Sequence, residues 1–251
     1  MEKGLVSIIT PCYNGARYIG ETINSVIKQT YDNWEMIIVD DGSKDNSADI
    51  IRKYSEIDKR ICLIQQENAG SAAARNNGIR RCNGQYIALL DADDLWKPYF
   101  LEKQILYMKN KNAVCVYCSY ERINSEGNVI LRPTIAKDKI TTRDMRIMNQ
   151  IGCLSGLYDC SRHGKIYLRE ELKSIRDDYA YWYDIVALED AAYGNPEILA
   201  SYRVLATSTT GNKIKLIKKQ FQFYRKHLNE SVPEAVINVI RWGVAGIRKF
   251  S

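Results

Sequence analysis

From residue 5 to residue 96 the chain alternates short apolar runs with longer amphipathic ones. LVSIIT, WEMIIVD, ICLIQ and YIALLD are short, apolar and mostly rich in β-branched residues, so they predict strands. Between them, 17–29, 46–57 and 71–82 place apolar residues at helical spacing. Strands that are apolar throughout, without polar alternation, are buried on both faces, which predicts an α/β fold with a mostly parallel sheet flanked by helices. Further along, a helix is predicted over 98–111. AVCVYCSYERIN and VILRP flank the turn Ser125-Glu126-Gly127-Asn128 as a β-hairpin with a longer loop. The pattern weakens over 134–176, with a short helix near 141–148 and a strand near 153–159. A helix over 178–189, the strand EILASYRV and two basic amphipathic helical stretches at 213–228 and 233–249 complete the chain.

In an open sheet of this kind, ligands bind beyond the carboxyl ends of the strands. Four successive strands end in polar loops: Pro11-Cys12-Tyr13-Asn14, Asp40-Asp41-Gly42-Ser43, Glu67-Asn68-Ala69-Gly70 and Asp91-Ala92-Asp93-Asp94. They should converge on one edge. Aspartates after a strand can simply cap the next helix. Three carboxylates in four positions repel one another, however, and a hard divalent cation that also takes substrate phosphates would offset that repulsion. Asp40 and Asp41 are open to two readings, a turn with a cap or acceptors for a base or ribose. Arg75 is equally open, as a surface arginine or as a cation for a diphosphate near the start of its helix. Neither G-x-G-x-x-G nor G-x-x-x-x-G-K-[ST] occurs, which argues against a dinucleotide-dependent dehydrogenase or a P-loop kinase.

SIITPCYNGARYIGETINSVIKQTYDNWEMIIVDDGSKDNS, followed by NAGSAAARNNGIRRCNGQYIALLDADDLW, resembles the donor-binding half of the inverting glycosyltransferases of family 2, which have the GT-A fold. The resemblance covers roughly residues 4–100. It implies a GT-A domain over 1–210, divided into a nucleotide-sugar half (1–100) and an acceptor-side half (101–210), with a tail at 211–251. It also implies that Pro11, Tyr13, Asp40 and Asp41 line the nucleoside pocket and that Arg75 lies near base and phosphates. Asp91, Ala92 and Asp93 match the Asp-x-Asp region that meets the ribose and a Mn²⁺ or Mg²⁺ ion. Asp93 is the favoured metal ligand, and Asp94 is the neighbour that could take or share the role.

An inverting transfer needs one general base. Asp177-Asp178 and Glu189-Asp190 compete for it. The resemblance favours Asp178, because relatives place an acidic pair before a Trp-containing helix and then an apolar strand ending in Tyr-Arg, here Tyr181-Trp182 and Tyr202-Arg203. Two departures from the family pattern are Asp177 in place of the commoner glutamate and the lack of a histidine after Tyr202-Arg203. Asn238-Val239-Ile240-Arg241-Trp242 lacks the glutamine of the processive signature, so transfer of a single sugar is expected. A nucleotidyltransferase would need a Lys- or Gly-rich triphosphate loop after the first strand, and none is present. A silent nucleotide-sugar-binding protein would keep the donor half and lose Asp178.

Composition adds less. The 251 residues are 45% apolar and 26% charged, ordinary for a globular chain. Seven cysteines without paired spacing, apart from Cys115-Val116-Tyr117-Cys118 in a predicted strand, are expected to be reduced, buried thiols. No leader-like segment or long apolar run occurs, so a cytoplasmic location is expected, with contact at the inner face of the cytoplasmic membrane as an extension. The net charge of +6 lies in the tail: nine Lys/Arg against Glu230 and Glu234 beyond residue 212 give +7, leaving −1 before it. The stretch 213–250 reads either as a face for anionic membrane, which would suit a lipid-linked glycan acceptor, or as an apolar stripe packed on the domain with a solvated basic face. Nucleic acid is not an expected partner.

Overall fold

The computed structural model describes residues 1–172, 176–205 and 213–250, with the side chains of 213–215 and 247–250 left out. The excluded side chains include four of the tail's nine basic residues, Lys213, Lys215, Arg248 and Lys249.

The first half follows the predicted alternation: β1 (Glu2–Cys12), α1 (Ile19–Ile27), β2 (Trp34–Asp40), α2 (Ser47–Ile57), β3 (Ile61–Gln65), α3 (Ser71–Arg81) and β4 (Gly84–Leu89). A two-residue strand β5 (Leu95–Trp96) and α4 (Phe100–Lys111) lead to the hairpin β6 (Cys115–Ile123) and β7 (Val129–Thr134). Then come β8 (Lys139–Ile140), α5 (Thr142–Ile147), β9 (Gly156–Asp159), α6 (Asp177–Ala187), β10 (Ala192–Arg203), α7 (Lys213–Lys226) and α8 (Val232–Phe250).

Among the described residues ten strands form one sheet in the order β3-β2-β1-β4-β9-β6-β10-β5, with β7 on β6 and β8 on β10. β1 to β4 run parallel, with Cys12 beside Asp40 and Asp40 beside Gln65, so three strands end level with one another. β9 enters antiparallel between β4 and β6 and joins β6 and β10 to the parallel strands β1 to β4 as one continuous sheet. The predicted strand near 153–159 is therefore present, but its central place in the sheet was not readable from its pattern. β5 was not predicted; two residues suffice because they pair with Ala200 and Ser201 of the long β10.

Period-2 alternation sorts the strand residues onto two cores. Ile9, Ile37 and Val39 face one layer with residues of α3, α6 and α7, whereas Val6, Ile8, Met36 and Ile38 face the other with α1, α2 and α4. Cys115 and Cys118, three apart on β6, fall in opposite cores, so the C-x-x-C spacing cannot converge on one ligand. All seven cysteines are unpaired and six are buried; Cys62, on edge strand β3, is the exposed exception to the expected burial. Gly156 is required by contact, since a Cβ there would lie 2.4 Å from the Trp182 ring of α6.

The tail packs on the domain. Phe223 and Tyr224 of α7 are fully buried, and Phe223 stacks on Tyr179 of α6 at 4.1 Å and 13°. Tyr224 Oη donates to the carbonyl of Arg146 (2.8 Å), and buried Glu230 accepts from Arg146 Nε (2.7 Å) and Asn238 Nδ2 (2.8 Å), tying α5, α7 and α8 together. Replacing Phe223 with alanine should cost about 3–5 kcal/mol, the usual range for a buried aromatic. Chemical denaturation would measure it; a negligible loss would mean that α7 is an appendage.

Candidate active site

The polar loops do converge at the carboxyl ends of β1 to β4, and hydrogen bonds sew them to one another. Asn14 N–H donates to Ser43 Oγ (3.0 Å), Gly15 N–H to Ser47 Oγ (2.9 Å), Ala16 N–H to Asp45 (3.1 Å) and Lys44 N–H to Asn14 Oδ1 (2.7 Å). Asn14 takes the left-handed conformation (φ 51°) that lets the chain turn sharply after Tyr13. Tyr13 is 53% exposed at the mouth, with Pro11 part-buried behind it.

Asp40 and Asp41 are both buried but differ in how they are used. Asp41 Oδ1 accepts from Gln66 Nε2 (2.8 Å) and Ala69 N–H (2.8 Å), and Oδ2 accepts from Gly70 N–H (2.9 Å). Its side chain thus fixes the loop that launches α3. Gly42 makes that loop possible: its φ is +75°, and a Cβ would stand 3.0 Å from the Asn68 nitrogen. Asp40 accepts one longer bond, from Ser43 N–H at 3.3 Å, which leaves it acceptor capacity that Asp41 lacks.

α3 delivers Arg75, buried to 5% exposure. Its Nη2 lies 2.5 Å from Asp91 Oδ1 and its Nη1 3.2 Å from Asp177 Oδ2, which also accepts from Ser71 Oγ (2.9 Å). One guanidinium therefore bridges the acidic loop after β4 and the first turn of α6, 102 residues away from it in sequence. The buried thiol of Cys153 completes the surround, 3.6 Å from Arg75 and 3.9 Å from Asp91. Asp178, half-buried beside Asp177, lies in the same field. Burial and the neighbouring Asp177 charge raise its pKa, against the pull of Arg75 and Arg176. A carboxylate raised in this way is a better proton acceptor near neutral pH than an ordinary aspartate.

A second arginine, which sequence reading used only as an alignment marker, holds the rest of the acidic loop. Arg203, at the end of β10 and 1% exposed, donates through Nε to the Asp93 carbonyl (2.8 Å), through Nη2 to Glu21 of α1 (2.7 Å) and through Nη1 to the Ser125 carbonyl (3.0 Å). Its backbone N–H donates to Asp94 Oδ1 (2.8 Å), and its guanidinium lies 4.5 Å from the Tyr18 ring centroid. Thr22 Oγ1 of α1 donates to the Ala92 carbonyl (2.9 Å). The available signal was a cation closing a buried strand, a position that demands partners.

The three acids thus have different surroundings. Asp91 is neutralised by Arg75. Asp94 is 1% exposed, with Oδ2 unpartnered, Oδ1 accepting from the Arg203 N–H, and its pKa pushed well up by burial and by Asp93 and Asp91. Asp93 is half-buried, makes no ion pair among the described residues, and has its pKa pushed up to about 6 by burial and Asp91. Of the three, Asp93 is the one whose carboxylate has neither an ion pair nor the Arg203 N–H that Asp94 accepts from, although among the described residues no group of three or more His, Cys, Asp or Glu side chains is gathered around a metal position.

The chain matches the profile of Glycosyl transferase family 2 over residues 7–176. It belongs to that family. It is 38% identical over 225 residues to TuaG of Bacillus subtilis, a glycosyltransferase assigned to teichuronic acid biosynthesis, covering 89% of this chain and 88% of the relative. It is 34% identical over 251 residues to the Escherichia coli UDP-Glc:α-D-GlcNAc-diphosphoundecaprenol β-1,3-glucosyltransferase WfgD, covering 99% and 96%. The fold superposes on S. aureus TarS 1–349 in complex with UDP-GlcNAc with a TM-score of 0.69 at 17% identity, over 94% of this chain and 71% of that one. It also superposes on the Pyrobaculum calidifontis mannosyltransferase PcManGT bound to GDP-Man and Mn²⁺, with a TM-score of 0.65 at 18% identity, over 96% and 73%. The fold is GT-A, and this family 2 protein is a glycosyltransferase.

Two measurements test the site's electrostatics. Arg203→Met should lower stability by about 3 kcal/mol or more in urea titration, because it strands the carbonyls and the carboxylate that Arg203 serves; a loss below about 1 kcal/mol would deny Arg203 that role. The second concerns Asp93 without divalent cation. The native state holds this proton more tightly than the unfolded chain, so Asp93's contribution to stability is full below its ordinary 3.8 and falls as pH rises through about 6. Melting curves should therefore show Asp93→Asn gaining on the wild type across that window, and a constant difference would refute the assignment.

Proposed function

We propose that this glycosyltransferase moves a single sugar from a nucleoside-diphosphate sugar, most simply a UDP-sugar, to a hydroxyl of a lipid-linked glycan, with inversion, in the synthesis of a cell-surface polysaccharide. The observation that carries the reading is the Asp91–Arg75–Asp177 bridge, which brings Asp178 up to the loop where a donor would bind. The names of the relatives support the rest. TuaG is named for teichuronic acid, WfgD for a UDP-glucose donor and a diphosphoundecaprenol-linked acceptor, and the superposable structures of TarS and PcManGT are complexes with UDP-GlcNAc and with GDP-Man and Mn²⁺.

In this reading Pro11, Tyr13 and the open oxygen of Asp40 receive the nucleoside, and Asp41 keeps the adjoining loop in shape. Asp91 meets the ribose while Arg75 holds it in place, and Ala92 keeps that stretch of the cleft small. Asp93 would hold Mn²⁺ or Mg²⁺, with Asp94 as buried support; such a cation, when bound, offsets charge on the diphosphate. The acceptor hydroxyl oxygen bonds to the anomeric carbon, its proton passes to Asp178, and the bond from that carbon to the phosphate oxygen breaks with the electron pair leaving on the nucleoside diphosphate.

A lipid-linked acceptor would bring the protein to a membrane surface. Among the described residues no helix is long and apolar enough to cross a membrane, so contact through 213–250 would be peripheral, on the cytoplasmic side where nucleotide sugars are made.

A panel of UDP- and GDP-sugars, with and without Mn²⁺, identifies the donor by binding and hydrolysis. Asp178→Asn should keep donor affinity while turnover drops by about 10²–10⁴. Absence of binding by every nucleotide sugar would sink the reading; unchanged turnover in the variant would remove Asp178 from the mechanism.

A further inference from the structure

The tail helix α8 has two apolar sides. One, with Ala235 fully buried and Val239 behind it, packs on the domain. The other leaves Val232, Val236, Ile237, Ile240 and Val244 between 45% and 62% exposed. The spacing of 232, 236, 240 and 244 keeps them on one continuous stripe. The lower part of that stripe does not simply face solvent. Ile240 and Val244 form one wall of a groove of about 660 Å³ whose opposite wall is Ile135, Ile147 and Met148, beside the end of α5. That volume lies within the roughly 300–1,000 Å³ of sites that enclose small molecules.

Two features connect this groove with the transfer site. Gln150, which lines the groove, is three residues from Cys153, at most about 11 Å of extended chain, and Cys153 touches both Arg75 and Asp91. On the α8 side, Trp242 lies 5.9 Å from the guanidinium of Arg176, two residues before Asp178. The charges are placed asymmetrically. Lys137 and Asp144, at the groove's edge, pair with each other at 3.6 Å. Arg241, on the groove, and Arg176, toward Asp178, make no ion pair with a carboxylate among the described residues. An apolar trough lined in part by Arg241, with Arg176 packed against Trp242 of the same helix and two residues before Asp178, complements a molecule with a long hydrocarbon chain, an anionic head and a hydroxyl beyond it.

We propose that this groove holds the prenyl chain of a polyprenyl-diphosphate-linked acceptor, with Arg241 and Arg176 receiving its diphosphate. The inference rests on the lipid-linked acceptor read above and assigns where its carrier lies. α8 then serves as half of the acceptor site, and the chain contributes to binding through burial of apolar surface.

The test uses undecaprenyl diphosphate carrying a photoreactive group on its chain, with inorganic diphosphate as the headgroup control. Adducts are expected on the peptides containing Ile135, Met148, Ile240 and Val244. Ile240→Asp with Val244→Asp, and separately Val244→Trp, which fills the groove without adding charge, should weaken undecaprenyl diphosphate binding by about tenfold or more. Affinity for inorganic diphosphate should stay unchanged in Val244→Trp, and affinity for the donor found in the panel should stay unchanged in both variants, showing that the fold is kept. Adducts elsewhere, or unchanged affinity in both variants, overturn the proposal. So does loss of sedimentation with phosphatidylglycerol vesicles while undecaprenyl diphosphate affinity persists, which would give the face to the bilayer. Transfer to a lipid-linked acceptor that is insensitive to both variants would defeat the groove and leave the transfer reading standing. Groove binding without transfer to any lipid-linked acceptor would do the reverse.

Discussion

The structure turns on the cost of placing three carboxylates at the end of a buried strand. Desolvated acids crowded into four positions are stable only if cations or donors reach them, and here two arginines arrive from distant parts of the chain. Arg75 comes from α3 and Arg203 from β10. Each also has obligations elsewhere, Arg75 to Asp177 and Arg203 to Glu21 and the β6–β7 turn. The acidic loop is thereby the point where α1, α3, α6, β10 and the hairpin are held in register. The surroundings of the acids differ accordingly, with Asp91 paired to Arg75, Asp94 buried against the Arg203 N–H and Asp93 without an ion pair among the described residues.

Much of the fold was legible because its determinants are local. Apolar runs such as WEMIIVD and YIALLD declare doubly buried strands, and the hairpin turn Ser125–Asn128 declares itself by its glycine. What escaped was set by pairing at long range. β5 is two residues long and exists because Trp96 and Leu95 find β10, while β9 reads as a short apolar run whose place between β4 and β6 depends on both neighbours. No periodicity encodes that.

The site shows the same division. The loops and their acids were visible at strand ends, and the resemblance pointed to Asp178 over the literal Glu189-Asp190. In the structure Asp190 accepts from Thr142 at the start of α5, and Glu189 meets Arg162 and His163, so that pair is occupied in holding surface segments together. Individual duties were not visible. Asp41 looks identical to Asp40 in sequence, yet Asp41 spends both oxygens on its own loop because Gln66, Ala69 and Gly70 happen to fold back over it. The tail's two readings were left open by its composition, and the burial of Phe223 and Tyr224 shows that α7 at least is part of the packed body.

The Arg75 bridge has a consequence for how the two sides of the sheet depend on each other. Antiparallel β9 marks a seam in the sheet between the parallel strands β1 to β4 and the part built on β6 and β10. The guanidinium shared between Asp91 and Asp177 crosses that seam, so each half inherits an electrostatic debt that only the other can settle. A substitution at Asp91 or at Asp177 therefore leaves a buried cation short of a partner on its side of the seam, and only the other side can make good the loss.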